Sequence, residues 1–324
     1  MKIFVTGATG FIGTHLVDRL SETDHKLYCL ARKTSQLQHL QATEATIIMG
    51  DITDKESLVK GMQGCDWLVH LASSFEFWVP DQRIYHVTNV DGVRNVMESA
   101  LEIGIQKVIH VSTAAVYGNA SWPITEESPF GSYRPSRYAQ TKFEGDMIAW
   151  NMYEKKGLPL VMIYPGAVIG ANDPKAAGRY LKNFALEHMP AQVLVNTVFP
   201  WVHVKDVCEA ILRALEKEDN IGEKYLVSAQ NLTFGEINQL ICKSAGSKIP
   251  FLRLPDAMTM AGAYLLTAIS DLIKRPPLLD LSVDQIRLMK QGYQLDGSKA
   301  EKELGLTYTP IQEAVAESVA SLRK

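Results

Sequence analysis

The first thirteen residues constrain this chain more than any others. Residues 2–6 read as a β-strand that runs straight into Gly7-Ala8-Thr9-Gly10-Phe11-Ile12-Gly13, and that turn runs straight into an amphipathic stretch at 12–21. A strand that turns on glycine into a helix is the first half of a βαβ unit. Each glycine answers its own constraint. Gly7 ends the strand in a tight turn, Gly10 lets the backbone approach a pyrophosphate, and Gly13 lets the helix lie close to the strand. The helix N-terminus adds open N–H groups and the positive end of a dipole, which suits phosphate. A glycine triplet alone can be an unliganded turn, and G-x-x-G-x-x-G is one residue longer than the common dinucleotide fingerprint. Its place on the first strand, with a helix directly behind it, favours a bound dinucleotide. The contact residues on this turn are then Gly7, Thr9, Gly10, Phe11, Ile12 and Gly13.

The pattern continues. Further strand-like runs lie at 26–31, 46–49, 67–70, 107–112 and 160–164, with helical runs between them at 55–61, 85–103 and 135–156. Strands alternating with helices predict an α/β fold, a doubly wound parallel Rossmann sheet. After Pro165 the rhythm loosens. A helix at 204–215 and a strand at 224–227 return to the sheet, and the chain from Thr233 on reads mostly helical. The expected division is a dinucleotide-binding domain at 1–165, rejoined by 201–228. A smaller, mostly helical substrate lobe would comprise 166–200 and 229–324.

Composition removes several classes of function. The net charge is −3 and no long run of Lys or Arg occurs, so no nucleic acid is expected as a partner. The chain begins directly on a strand, without a charged and then apolar leader. Its most apolar later stretch, 257–273, is short and interrupted by Thr, Ser and Asp, so it reads as a half-buried helix and not as an integral membrane segment. Cys29, Cys65, Cys208 and Cys242 lie far apart without metal spacing, which suggests free thiols in a reducing cytoplasm and no metal site.

The second strand tip usually carries an acid that holds the ribose hydroxyls of NAD. Here the segment is Leu30-Ala31-Arg32-Lys33-Thr34, with no acid. Arg32 suits a 2′-phosphate, so NADP is expected ahead of NAD, which stays possible. At the third strand tip, Asp51 is placed to accept from the adenine amino group with Ile52 beside it. Asp51 is also a candidate N-cap for the next helix, where Thr53 and Asp54 compete with it.

Tyr138 and Lys142 stand four apart on a predicted helix and so share a face. An ammonium beside a phenol lowers the phenol's pKa and makes it a usable acid or base for a carbonyl or alcohol. Thr113 follows the strand at 107–112, at the carboxyl edge where α/β folds place ligands. Its hydroxyl can donate to a substrate oxygen; Ser112 is its rival.

These residues lie within TGATGFIG at 6–13, GDITD at 50–54, VHLAS at 69–73, NVDGVRNV at 89–96, VSTAAVYG at 111–118, YAQTK at 138–142, PGAVIG at 165–170 and WVHVKDV at 201–207. Together they resemble the extended short-chain dehydrogenase/reductases over nearly the whole length. The resemblance implies that Thr113, Tyr138 and Lys142 are the catalytic set. It implies that Asn89 supports a proton-relay water, although a helix-bending structural amide is the other reading. His70, Leu71, Ala72 and Ser73 would line the cofactor, with His70 more a strand-end residue than a catalyst. Pro165, Gly166, Ala167 and Val168 would flank the nicotinamide.

Two departures select a branch. Dehydratases of this kind carry Asp-Glu after the catalytic Thr, where this chain has Ala114 and Ala115. Epimerases carry an Asn after the sixth strand and an Arg before the x-His-Val segment. This chain has Tyr164-Pro165-Gly166-Ala167 and Val198-Phe199-Pro200-Trp201-Val202-His203. PGAVIG is instead similar to the dihydroflavonol reductase and 3β-hydroxysteroid dehydrogenase branch, which implies a ketone or secondary alcohol on an apolar small molecule. His203 reads as structural. Phe75, Phe77, Trp78 and Trp201 are the substrate candidates, with Met258, Met260, Tyr264 and Leu265 adding a further apolar wall. A nucleotide-sugar epimerase and a non-catalytic NADP(H) sensor are the alternatives. Finally, helices 85–103 and 135–156 resemble those of a homodimer interface, and Val93, Val96, Met97 and Ala100 fall on one stripe that suits either an interface or a core.

Overall fold

The computed structural model describes residues 1–323. Twelve strands occur: β1 (Lys2–Thr6), β2 (Lys26–Ala31), β3 (Thr46–Met49), β4 (Trp67–His70), β5 (Lys107–Val111), β6 (Leu160–Pro165), β7 (Ala167–Ile169), β8 (Gln192–Val193), β9 (Val198–His203), β10 (Lys224–Val227), β11 (Gln230–Thr233) and β12 (Arg253–Leu254). Seven of them form one sheet in the order β10-β6-β5-β4-β1-β2-β3. Every pairing in it is parallel, with Ile3 opposite Leu27 on one side and Trp67 on the other. This is the doubly wound Rossmann arrangement. Helices cover both faces, so the central strands are buried throughout; every residue of β5 and β6 is buried.

Strand order reverses between β1 and β4. The crevice at their carboxyl ends is where such a sheet takes its ligand. The turn after β1 lies against the turn after β4: a Cβ on Gly7, whose φ is +77°, would sit 2.6 Å from the Ala72 nitrogen. A Cβ on Gly13 would sit 2.1 Å from the Gly7 carbonyl oxygen, so only glycine lets the helix Phe11–Ser21 start this close to the strand.

Three expectations are corrected here. Trp201–His203 does not return to the main sheet. It belongs to β9, which pairs in parallel with β7 and antiparallel with β11 in a separate three-stranded sheet. Residues 85–103 are not one uniform helix: a π-helical turn, Val87–Asp91, joins Arg83–His86 to Gly92–Ile103. The stripe of Val93, Val96, Met97 and Ala100 packs in the chain's own core and offers nothing to a second copy.

The helix Asp256–Ile273 departs furthest from expectation. Its fully buried residues, Thr259, Ala263 and Ser270, are small or polar; Met260 packs partly against the core, while Met258, Tyr264, Leu265, Ile269, Leu272 and Ile273 are exposed. Among the described residues no helix is long and apolar enough to cross a membrane, and no group of His, Cys, Asp or Glu is arranged to hold a metal ion. The four cysteines are buried and free.

Candidate active site

A cavity opens along the carboxyl edge of the sheet. Its cofactor end is lined by Gly7, Gly10, Phe11, Ile12 and Gly13, and its middle by Leu71, Ser73, Thr113, Tyr138, Lys142 and Pro165–Val168. Gly10 caps the helix Phe11–Ser21 without a side-chain hydrogen bond, leaving the first N–H groups open towards the cavity. That glycine cradle and bare helix terminus fit the pyrophosphate of a nicotinamide dinucleotide.

The residues read for the adenosine end lie beyond this cavity. Arg32 is exposed directly after β2 and forms no ion pair among the described residues. Asp51 Oδ1 accepts from the Thr53 N–H and hydroxyl, both at 2.9 Å, while Asp54 takes the N-cap. Ile52 packs in the core, and its carbonyl accepts from Asn95 Nδ2 at 3.0 Å. Thr9 is half-buried on the turn outside the cavity wall.

Ser136 caps the helix Arg137–Lys156 by accepting from the Ala139 N–H. Tyr138, Lys142 and Asp146 then follow at four-residue spacing on its buried face. Tyr138 is flanked by Phe75 at 4.8 Å and Phe77 at 6.1 Å between ring centres. Burial raises its phenol pKa above the ordinary value, and the Thr113 hydroxyl acts against that shift. The expected lowering by Lys142 is absent. Lys142 Nζ donates instead to the Val111 carbonyl at 3.1 Å; burial lowers its pKa while Asp146 opposes.

Asp146 was not singled out from the sequence, and it organises the layer below. Ser112 Oγ donates to Asp146 Oδ2 at 2.6 Å, and His110 Nε2 lies 3.0 Å from Oδ1. Ser112 and Thr113 both line the cavity; the Ser112 hydroxyl is engaged with Asp146, while Thr113 lies beside Tyr138. His110 stacks on His70 at 5.1 Å, and His70 Nδ1 meets Thr6 Oγ1 at 2.6 Å. Burial drives both imidazoles well below their usual pKa, so they are neutral. The spacing Tyr138-x3-Lys142-x3-Asp146 was a signal available in the sequence; the pairing of β5 with it was not.

Asn89 sits in the π-turn with its amide occupied. Its Oδ1 accepts from Ser73 Oγ at 3.1 Å and the Ser74 N–H at 2.8 Å, and its Nδ2 donates to Thr141 Oγ1 at 3.2 Å. It clamps the loop after β4 to the Tyr138 helix and does not line the cavity. His203 caps the helix Val204–Glu216 and lies 3.2 Å from Glu317.

The outer wall is aromatic. Phe75, Phe77, Tyr180, Trp201 and Phe234 line it, with Leu288, Met289 and Tyr293 from the far side. Trp78 is not part of it: its Nε1 donates outward to Asp271 Oδ1 at 2.9 Å. Met258, Met260, Tyr264 and Leu265 also lie off the wall, because their helix packs behind Val283–Gln291. Ala115 lines the cavity where an acid or base would be needed for elimination, and no Arg does. At the rim Lys175 is neutralised by Glu76 at 2.8 Å.

Residues 3–228 match the model of the NAD dependent epimerase/dehydratase family. The chain is 28% identical to a putative dihydroflavonol 4-reductase of Synechocystis sp., over 98% of this chain and 93% of that one. It is also 28% identical to sterol demethylase protein B of Methylococcus capsulatus, over 100% and 99%. The crystal structure of gox2253 superposes with a TM-score of 0.86 at 30% identity, covering 99% of this chain and 97% of that one. With its glycine turn, parallel sheet and Tyr138–Lys142 helix all inside the matched region, the chain belongs to the NAD dependent epimerase/dehydratase family.

Proposed function

We propose that this chain is an NADP(H)-dependent oxidoreductase that reduces a ketone, or oxidises a secondary alcohol, of a largely apolar small molecule. One observation carries the reading: Tyr138 and Thr113 meet at the junction of the glycine-lined end of the cavity and its aromatic end. The cofactor, when bound, supplies the hydride for the carbonyl carbon. Tyr138, kept protonated by burial, gives its phenolic proton to the carbonyl oxygen, and Thr113 donates a hydrogen bond to the same atom. Lys142 lies one helical turn beyond Tyr138 on the same buried face; burial lowers its pKa and Asp146, a further turn on, acts against that lowering. Phe75, Phe77, Trp201 and Phe234 exclude water and hold an apolar skeleton.

Arg32 supports NADP, by offering a planar cation without a carboxylate partner to a 2′-phosphate. The lack of an Arg in the wall and the neutralised Lys175 argue against a sugar nucleotide, whose diphosphate needs cationic partners. The relative bearing the name dihydroflavonol 4-reductase agrees with a ketone substrate. The test is a titration with NADPH and NADH, followed by a panel of apolar ketones and alcohols read by cofactor absorbance. Turnover of apolar ketones with NADPH supports the reading. Micromolar binding of UDP- or dTDP-sugars to the cofactor-loaded protein, without any ketone turnover, replaces it with the epimerase.

A further inference from the structure

The helix Asp256–Ile273 and its flanks form an inverted amphipathic surface. Phe251 is 96% exposed, Leu272 84%, Leu278 69%, Leu265 63% and Met258 60%. The buried stripe of the same helix is Thr259, Ala263 and Ser270, and Thr267 Oγ1 accepts from the Val283 N–H at 2.9 Å. The fully buried stripe is thus polar or small, with Met260 the one large apolar side chain of the helix that packs partly against the core, and the exposed side is apolar. Scattered exposed apolar residues are ordinary, but a contiguous run along one helix and both of its flanks marks a docking surface.

The charges around it identify the occupant. Lys248 and Arg253 precede the helix and Lys274 and Arg275 follow it, all exposed, on a chain whose net charge is −3. The two acids of the helix are already placed: Asp271 accepts from Trp78 Nε1, and Asp256 lies 4.0 Å from Lys290. A second copy laid antiparallel on this face would bring the cations at each end of one helix against those of the other, and parallel pairing would do the same. Anionic lipid headgroups complement both ends at once, while the acyl boundary accepts the apolar strip between them.

We propose that this face docks the protein peripherally on an anionic bilayer surface. Trp78 joins the docked helix to the loop of Phe75 and Phe77, and Ser282 Oγ donates to the Phe77 carbonyl at 3.0 Å. Docking therefore sets the wall beside Tyr138 next to the lipid, where an apolar compound partitions.

The test is flotation of the full chain with phosphatidylcholine vesicles, with and without phosphatidylglycerol, at low and high salt. The wild type should float with phosphatidylglycerol vesicles and be released by salt. Ile269→Asp with Leu272→Asp, both solvent-facing and so compatible with folding, should lower vesicle affinity at least roughly tenfold. Lys274→Glu with Arg275→Glu should remove the preference for phosphatidylglycerol. Failure of the wild type to bind either vesicle overturns the proposal, as does a charge-reversed pair that binds like the wild type. A dimer in sedimentation that Ile269→Asp with Leu272→Asp dissociates, without vesicle binding, assigns the face to a second copy instead. None of these readouts depends on turnover, so they stand apart from the test of the reductase reading. With a water-soluble ketone substrate, the vesicle-binding variants should keep wild-type turnover.

Discussion

The Ser112 hydroxyl, at the floor of the cavity, donates to Oδ2 of the fully buried Asp146 at 2.6 Å. Burial raises the Asp146 pKa from 3.8 to about 7, against the pull of Lys142, the Ser112 hydrogen bond and Arg134. This carboxyl therefore changes charge near neutrality, directly beneath the Tyr138–Lys142 pair.

That shift predicts a pH dependence of stability. Between pH 3.8 and about 7 the unfolded chain gives up the Asp146 proton while the folded chain keeps it, so this group's contribution falls as pH rises. His70 and His110 act in the opposite sense, since their depressed pKa values cost stability as pH falls below 6.5. The comparison of wild type with Asp146→Asn isolates the carboxyl. Melting temperatures measured across this range should diverge, with the wild type losing ground to the variant as pH rises. Parallel profiles would show that Asp146 does not hold its proton in the fold.

Tyr138→Phe keeps the ring between Phe75 and Phe77 and removes the proton donor. Turnover should fall by at least about a hundredfold, with cofactor affinity largely kept. Steady-state kinetics alongside NADPH titration reads both. Turnover near that of the wild type would take Tyr138 out of the mechanism.

Ser112 and Thr113 are adjacent, but they should fail differently. Thr113→Val removes the hydroxyl beside Tyr138 and should lower kcat by roughly tenfold with little change in melting temperature, the scale of one lost hydrogen bond to developing charge. Ser112→Ala leaves the buried Asp146 Oδ2 without its donor, with His110 still at Oδ1, and should destabilise the fold by about 1–3 kcal/mol. Thermal melts and kinetics on the two variants decide it; a reversal of the two outcomes would exchange their roles.

Arg32 is exposed, so its contribution should lie at the lower end for a charged hydrogen bond. Arg32→Ala should weaken NADPH by about 1.5 kcal/mol, roughly tenfold, and leave NADH unchanged. Calorimetry with both cofactors measures this. Equal wild-type affinities for NADPH and NADH would sink the NADP assignment.

The sequence by itself determined the sheet. Strands β1 to β4 and β10 lie where the sequence carries short apolar runs, because a strand covered on both faces needs such a run. The glycine turn was equally legible, since close approach of the helix to the strand admits no Cβ at Gly13. Tertiary structure decided what local pattern leaves open. Trp201 lies in a second sheet because strand pairing is a long-range choice. Asp146 meets Ser112 and His110 only when the helix crosses β5, across 34 and 36 residues of sequence. The helix Asp256–Ile273 shows the limit most plainly. Its composition suggested an apolar face turned inward, yet the fully buried residues are Thr259, Ala263 and Ser270, because periodicity reveals that a helix has two faces and only packing assigns which one is buried.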